Sequence, residues 1–376
     1  MFDLWKLQDF PPGEGLARKV FAEQFDISDW INITAPGDVY QALIEAGRIE
    51  DPFYDRNEDK CTWMEEREWW YRISFDSEDK PLRQDERLLL VFEGLDTFVT
   101  IWLNGEVLGR HANMFSEAVF DVSRLWRVGG HNTLALCFHP PLQEIEQAPF
   151  KSWGRNTERV MMRKAQFGYG WDWSPRLPTV GIWRPVELRR QRCAAIQDMH
   201  FSTLEVDTNR HRALVSVQVD VERFAGDQAL ELSISLLSPG SSGETKAAAQ
   251  QPLTLQESGS QLSANVYMEI ENPQLWWTHD LGEPALYTLQ ATLSLNGEQL
   301  EQQQHEVGIR TLELDQSPDT GEPGTRFFRF VLNGVPIFAR GADWIPASSF
   351  VGAISAERYE MLLRAAREAY MNMLRV

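Results

Sequence analysis

The tripeptide Leu-Asn-Gly occurs at 103–105, 295–297 and 332–334, each time between runs of strand character. Asn-Gly supplies two consecutive residues that tolerate positive φ, as the type I′ hairpin turn requires, so each copy commits its flanks to an antiparallel pair. The spacings are unequal, which marks three separate hairpins and not a solenoid repeat. Around the first copy, strand runs cover 69–75, 87–92, 98–103, 118–122, 133–138 and 182–188. They are preceded by a short helix that Pro36-Gly37-Asp38 opens and Gly47 closes. This pattern predicts a jelly-roll β-sandwich over 1–192. A second series, at 199–206, 213–221, 229–237, 261–270 and 287–295, fits an immunoglobulin-like β-sandwich of about seven strands over 193–311. The Ser/Gly/Ala-rich stretch 238–251 reads as a flexible hairpin tip. After 312 the pattern changes: a polar linker at 315–325, a hairpin at Asn333-Gly334, a strand at 336–340, a helix, and the strand MNMLRV. Ser355 is placed to cap that helix, and Tyr359, Leu362, Leu363, Ala366 and Tyr370 follow helical spacing. Strand, helix, strand is one βαβ unit.

The stretch 163–188, RKAQFGYGWDWSPRLPTVGIWRPVEL, holds three glycines, three prolines and three tryptophans and shows no helical or strand period before its last third. Trp171 and Trp173 flank Asp172. An indole face packs on the C–H face of a pyranose while a carboxylate accepts bonds from neighbouring hydroxyls, so this composition suits a sugar pocket. The other reading is a structural corner, with the tryptophans in the core and Asp172 capping a turn.

FGYGWDWSPRL followed by GIWRPV resembles the signature of family 2 glycoside hydrolases, and within that family of the β-mannosidases. FEGLDTFVTIWLNGEVLG resembles the family's sugar-binding-like first domain, NPQLWWTHDLGEPALYTL its second, and GADWIPASSF and NMLRV the first two strand ends of its (β/α)8 TIM barrel. The fold class so implied is multidomain and mainly β: jelly roll, immunoglobulin-like sandwich, then the first βαβ of the barrel over 312–376. The resemblance implies that Trp171, Asp172 and Trp344 bind the terminal sugar and that Arg375 holds the nucleophile carboxylate. For Arg375 a surface arginine at a frayed end is the alternative. Ser174 stands where the family has Gly, Asp343 where it has Asn, and Ser348 where it has Asp. A side chain at 174 has to avoid positive φ. Trp276 and Trp277 read as packing residues between domains.

Other chemistries find no foothold. The net charge of −19 repels phosphate backbones and anionic lipid heads, so nucleic acid and membrane surfaces are excluded as partners. Cys61, Cys137 and Cys193 are too few and too far apart for a disulfide framework or zinc ribbon and read as reduced core residues. There is no H-E-x-x-H, no G-x-S-x-G, and no complete nucleotide fingerprint; neither a metal nor a cofactor is expected. Glu65, Glu66 and Glu68 read as a solvated charged face. The 14 tryptophans are many, and glycan-binding proteins are one class that collects them. The first residues lack a basic and apolar leader, which points to the cytoplasm.

The sequence reading is therefore the N-terminal part of an exo-acting, retaining β-mannosidase acting on β-mannoside oligosaccharides. Retaining hydrolysis needs two carboxyl groups ~5 Å apart. By the resemblance both lie beyond Val376, so no catalytic residue is assigned in this chain and it is expected to be inactive alone. A homodimer or a missing C-terminal part are the assemblies left open. The rival reading is a non-catalytic glycan- or protein-binding module, and a third changes the sugar to a galactoside, glucuronide or glucosaminide.

Overall fold

The structure is a computed structural model that describes residues 2–78, 80–145, 158–240, 253–255 and 260–376. It divides into two compact units, Met1–Arg190 with Pro346–Tyr359, and Gln191–Ile345 with Glu360–Val376.

In the first unit a six-stranded antiparallel sheet runs in the order Ile31–Thr34, Leu4–Phe10, Glu68–Asp76, His131–Phe138, Val99–Leu103, Glu106–His111. Period-two alternation sends Trp69, Tyr71, Leu134 and Leu136 to one face, where they meet Leu88, Leu90 and Phe92 from the facing strand Glu86–Phe92 in one buried cluster. The facing layer continues with Ala118–Asp121 on one side and Val186–Arg192 on the other. The opposite face of the six-stranded sheet is also dry. Trp70, Trp102, Ala135 and Cys137 lie there beneath a segment carrying Val20, Phe21, Phe25 and Trp30. Trp102 stacks between Phe21 and Trp70, with ring centroids 5.5 Å and 5.1 Å away. Among the described residues six tryptophans (Trp5, Trp30, Trp69, Trp70, Trp102, Trp126) are buried, and packing explains much of their abundance.

The expected strands are present with ends shifted by a residue or two, and Asp38 caps the helix Val39–Glu45 by accepting from Tyr40 N (2.8 Å) and Gln41 N (3.3 Å). The run expected over 182–188 is two strands, Gly181–Ile182 and Val186–Arg192. Pro185 between them has no N–H to give a ladder, and its carbonyl accepts from Glu93 N instead. The glutamate run is not a solvated face: Glu68 is buried, Glu65 is largely covered, and Glu66 alone is exposed.

In the second unit the strands Ala194–Asp207, Arg212–Arg223 and Gln261–Glu271 form one sheet region, and Leu253–Leu255, Leu230–Leu237, Tyr287–Leu295 and Glu298–Val307 form another. Alternating residues such as Val215, Val217, Val219, Leu232, Ile234, Leu289 and Leu293 make a single core between them, the seven-stranded sandwich expected. Most of the expected hairpin tip, 241–251, lies outside the described residues. All three Asn-Gly turns have positive φ at both positions, at 104–105, 296–297 and 333–334.

The βαβ unit is also present, with its first strand displaced. Gly341–Asp343, and not 336–340, pairs in parallel with Met373–Arg375, in register Gly341↔Met373 to Asp343↔Arg375. Residues 335–337 instead close a hairpin with Arg329–Leu332. The helix Ala356–Glu368 has no buried residue: Tyr359 is 39% and Leu363 49% exposed. Ser355 Oγ accepts from Arg358 N at 3.3 Å, as a cap should.

Candidate functional site

The loop of residues 163–185 is fixed at its base and exposed at its tip. Both limbs meet at Asp96, which is 1% exposed. The Lys164 ammonium, equally buried, donates to the Asp96 carboxylate and to the Thr179 carbonyl, and Thr179 Oγ1 donates to Asp96 Oδ2 at 2.7 Å. Backbone bonds add to this: Gly37 N to Ile182 O at 2.9 Å and Val39 N to Val180 O at 3.0 Å. Gly181 is required here, since a Cβ would stand 2.5 Å from Tyr71 Oη and its φ is +152°. Asp38 sits beside this pair. Burial pushes its carboxyl up to about 7, reinforced by Asp96 and opposed by the two capping N–H groups and Lys164.

Toward the tip, Arg176 holds Glu65 with two hydrogen bonds of 2.9 Å and 2.6 Å and lies over the Tyr169 ring. The Arg159 guanidinium stacks 4.4 Å from the Trp171 ring centroid and donates to Gly170 O at 3.2 Å. Phe167 packs on Trp173 at 5.3 Å, and Trp171 N closes the turn on Ser174 O at 3.0 Å. Trp171 remains 52% and Trp173 37% exposed. Asp172 is exposed between them, and among the described residues its carboxylate has no hydrogen-bond partner. The tryptophans are therefore not core and Asp172 caps nothing, so the corner reading does not describe this loop. The chemistry on offer is an aromatic face, its far side backed by a guanidinium, with an unpaired carboxylate beside it.

Ser174 is accommodated because residue 174 is not in the positive-φ region, which Gly170 takes instead at +93°. Its hydroxyl is buried, 3.2 Å from Ser349 Oγ. Ser348 Oγ accepts from Phe350 N at 3.1 Å, a bond that a carboxylate at 348 would also make.

Trp344 and Arg375 belong to the second unit. Trp344 is half-buried and its N–H donates to Arg375 O at 2.7 Å, so these two expected site residues are neighbours across the parallel pair. Arg375 Nη1 donates to Asp343 Oδ1 at 2.9 Å, with both side chains largely exposed. The departure at 343 thus gives Arg375 a charged partner. Trp276 lies under Arg310, whose guanidinium is 4.9 Å from its ring, and its N–H bonds Ile309 O.

The loop's supports, Asp96 with Lys164 and Glu65 with Arg176, were not singled out from the sequence. Asp96 carried a signal, an acid within the apolar run FEGLDTFVTIWL, but its partner is 68 residues away. Among the described residues no helix is long and apolar enough to cross a membrane.

Comparison with known proteins matches both units. Residues 19–184 match the glycosyl hydrolase 2 galactose-binding domain-like family and residues 194–310 match glycosyl hydrolases family 2. Beta-mannosidase B of Thermothelomyces thermophilus is 33% identical over 348 residues, which is 91% of this chain and 39% of the relative. Beta-mannosidase B of Aspergillus terreus is 33% identical over 94% of this chain and 41% of its own length. Among solved structures, the β-D-mannosidase from Dictyoglomus thermophilum is similar with a TM-score of 0.86 and 32% identity, over 100% of this chain and 43% of that one. The exo-chitosanase of Amycolatopsis orientalis, at 20% identity and a TM-score of 0.75, shares the fold. The chain spans about two fifths of the length of the curated relatives it matches.

Proposed function

Because the chain belongs to glycoside hydrolase family 2 and carries that family's N-terminal domains, we propose that it serves an exo-acting β-mannosidase, which removes terminal non-reducing β-D-mannose from oligosaccharides with retention of configuration. The observation that carries this reading is the exposed Trp171-Asp172 tip on a base locked by a buried ion pair. A recognition group has to be held in place before the sugar arrives, and a mobile loop would spend part of its binding energy on ordering. The mannosidase relatives run along nearly the whole chain.

In this reading Trp171 stacks on the apolar face of the terminal mannosyl unit and Asp172 accepts from its hydroxyls. Trp344 is assigned to sugar binding as well, and Arg375 to orienting the nucleophile carboxylate. No residue of this chain is assigned as nucleophile or acid/base. We divide the chain into 1–192, 193–311 and 312–376, the last entering a (β/α)8 barrel through the parallel pair Gly341–Asp343 and Met373–Arg375.

The test is hydrolysis of aryl β-mannoside, β-galactoside, β-glucoside and β-glucuronide by the protein as its natural source makes it, with its intact mass recorded. The expected result is nitrophenol release from the mannoside well above the other three. Preference for another glycoside, or silence on all four, overturns the proposal, and silence favours a binding module.

A further inference from the structure

Three side chains with different donor atoms converge on the outer face of the six-stranded sheet, away from the loop described above. Glu68 opens the strand Glu68–Asp76, and Cys137 lies on the neighbouring strand His131–Phe138, opposite Trp70. His139 follows two residues later, so the strand period puts it on the same face as Cys137. One ligand atom from each of the three lies within 4.8 Å of the other two. His139 Nδ1 is 3.8 Å from Glu68 Oε1 and 3.8 Å from Cys137 Sγ.

Two of the three groups, His139 and Glu68, are held from outside. Thr100 Oγ1 is 2.8 Å from His139 Nε2, Gly13 N donates to Glu68 Oε1 at 2.9 Å, and Trp70 Nε1 donates to Glu68 Oε2 at 3.3 Å. Outer hydrogen bonds of this kind fix the tautomer and orientation of metal ligands. With Nε2–H given to Thr100, the Nδ1 lone pair faces the carboxylate and the sulfur. Glu68 is 5% and Cys137 1% exposed, so the electron-pair donors meet where water does not screen them. A buried carboxylate needs a cationic or hydrogen-bonding partner.

The geometry points to a binding site for a zinc-class divalent cation, with Glu68, Cys137 and His139 as its three protein ligands. Imidazole, thiolate and carboxylate form a donor set that borderline-soft zinc accepts. Bonds of about 2.0–2.3 Å in a tetrahedron give edges of roughly 3.5 Å, so the two distances of 3.8 Å call for only a small inward shift. As the metal–sulfur bond forms, the Cys137 S–H proton leaves to solvent. Carboxylate and thiolate then balance the dication, and the filled site is neutral. Through Gly13 the ion would fasten the segment covering Trp70 to two central strands. No sequence spacing announces this site, because Glu68 and the Cys-x-His pair meet only through strand pairing.

The experiment is titration of the chelator-stripped 376-residue chain with Co(II), read by absorption. One equivalent should produce a thiolate-to-cobalt charge-transfer band, Zn(II) should displace it, and Zn(II) should raise the unfolding temperature. Cys137→Ser should abolish the band, whereas Cys61→Ser and Cys193→Ser should keep it. Thr100→Val, which removes an outer hydrogen bond and leaves the ligands intact, should weaken Co(II) binding by about 10- to 100-fold. Absence of the band in the folded wild-type chain at millimolar Co(II), or a band that survives Cys137→Ser, overturns the inference. If Cys137→Ser does not fold, unchanged affinity in Thr100→Val overturns it as well.

Discussion

Asp38 uses Oδ1 to cap a helix and keeps Oδ2 buried without a hydrogen-bond partner among the described residues. Its carboxyl titrates at about 7 in the fold against 3.8 as the ordinary value, with burial the main cause and Asp96 and Lys164 the nearby charges. Between those two values the folded state holds a proton that the unfolded chain has lost. The contribution to stability is therefore full below 3.8, falls as pH rises through the window up to about 7, and is flat above it. At about 1.4 kcal/mol per pH unit the whole window is worth on the order of 4 kcal/mol. Asp38→Asn keeps an oxygen for the cap and removes the titration. Urea unfolding at pH 5 and pH 8 should show the wild type losing stability at the higher pH and the variant losing much less. Lys164 makes the opposite case, a charge that its surroundings need. Lys164→Met leaves the Asp96 carboxylate buried with only Thr97 and Thr179 to serve it, and should cost about 3–5 kcal/mol in the same measurement.

The loop of residues 163–185 depends on close approach as well as charge. Gly181→Ala places a Cβ 2.5 Å from Tyr71 Oη and 2.9 Å from Gly37 O, and a rigid strand and a backbone carbonyl have little room to move. A loss of about 1–3 kcal/mol is expected, visible as a lowered Tm. The elements themselves were largely legible: period-two runs and Asn-Gly turns located the strands of both sandwiches because burial of one face leaves that pattern in the sequence. Two features were not. The strand Gly341–Asp343 has no intrinsic strand character and takes its pairing from Met373–Arg375, whereas in the expected run 336–340 Phe338 is 80% exposed. Glu68 reads as one acid in a charged run, yet Gly13, Trp70 and His139 surround it in space. At the candidate site the tip residues stood out by composition. The clamps beneath them did not, since Lys164–Asp96 and Arg176–Glu65 join segments 68 and 111 residues apart.

At the scale of the whole chain, family membership, two β-rich units and a βαβ pair agree with one another, and the chain spans 39% of the length of one β-mannosidase relative. The helix Ala356–Glu368 has no buried residue, with Tyr359 and Leu363 exposed. The central claim is that the Trp171-Asp172 tip recognises the terminal mannosyl unit of a β-mannosidase. It is tested most directly by kcat/KM on aryl β-mannoside for Asp172→Ala beside the wild type, both expressed from the protein's own gene. Losing hydrogen bonds to a charged acceptor should lower kcat/KM by about 10- to 100-fold with no change in Tm, since the exposed carboxylate supports nothing in the fold. An unchanged kcat/KM on the mannoside would contradict the account.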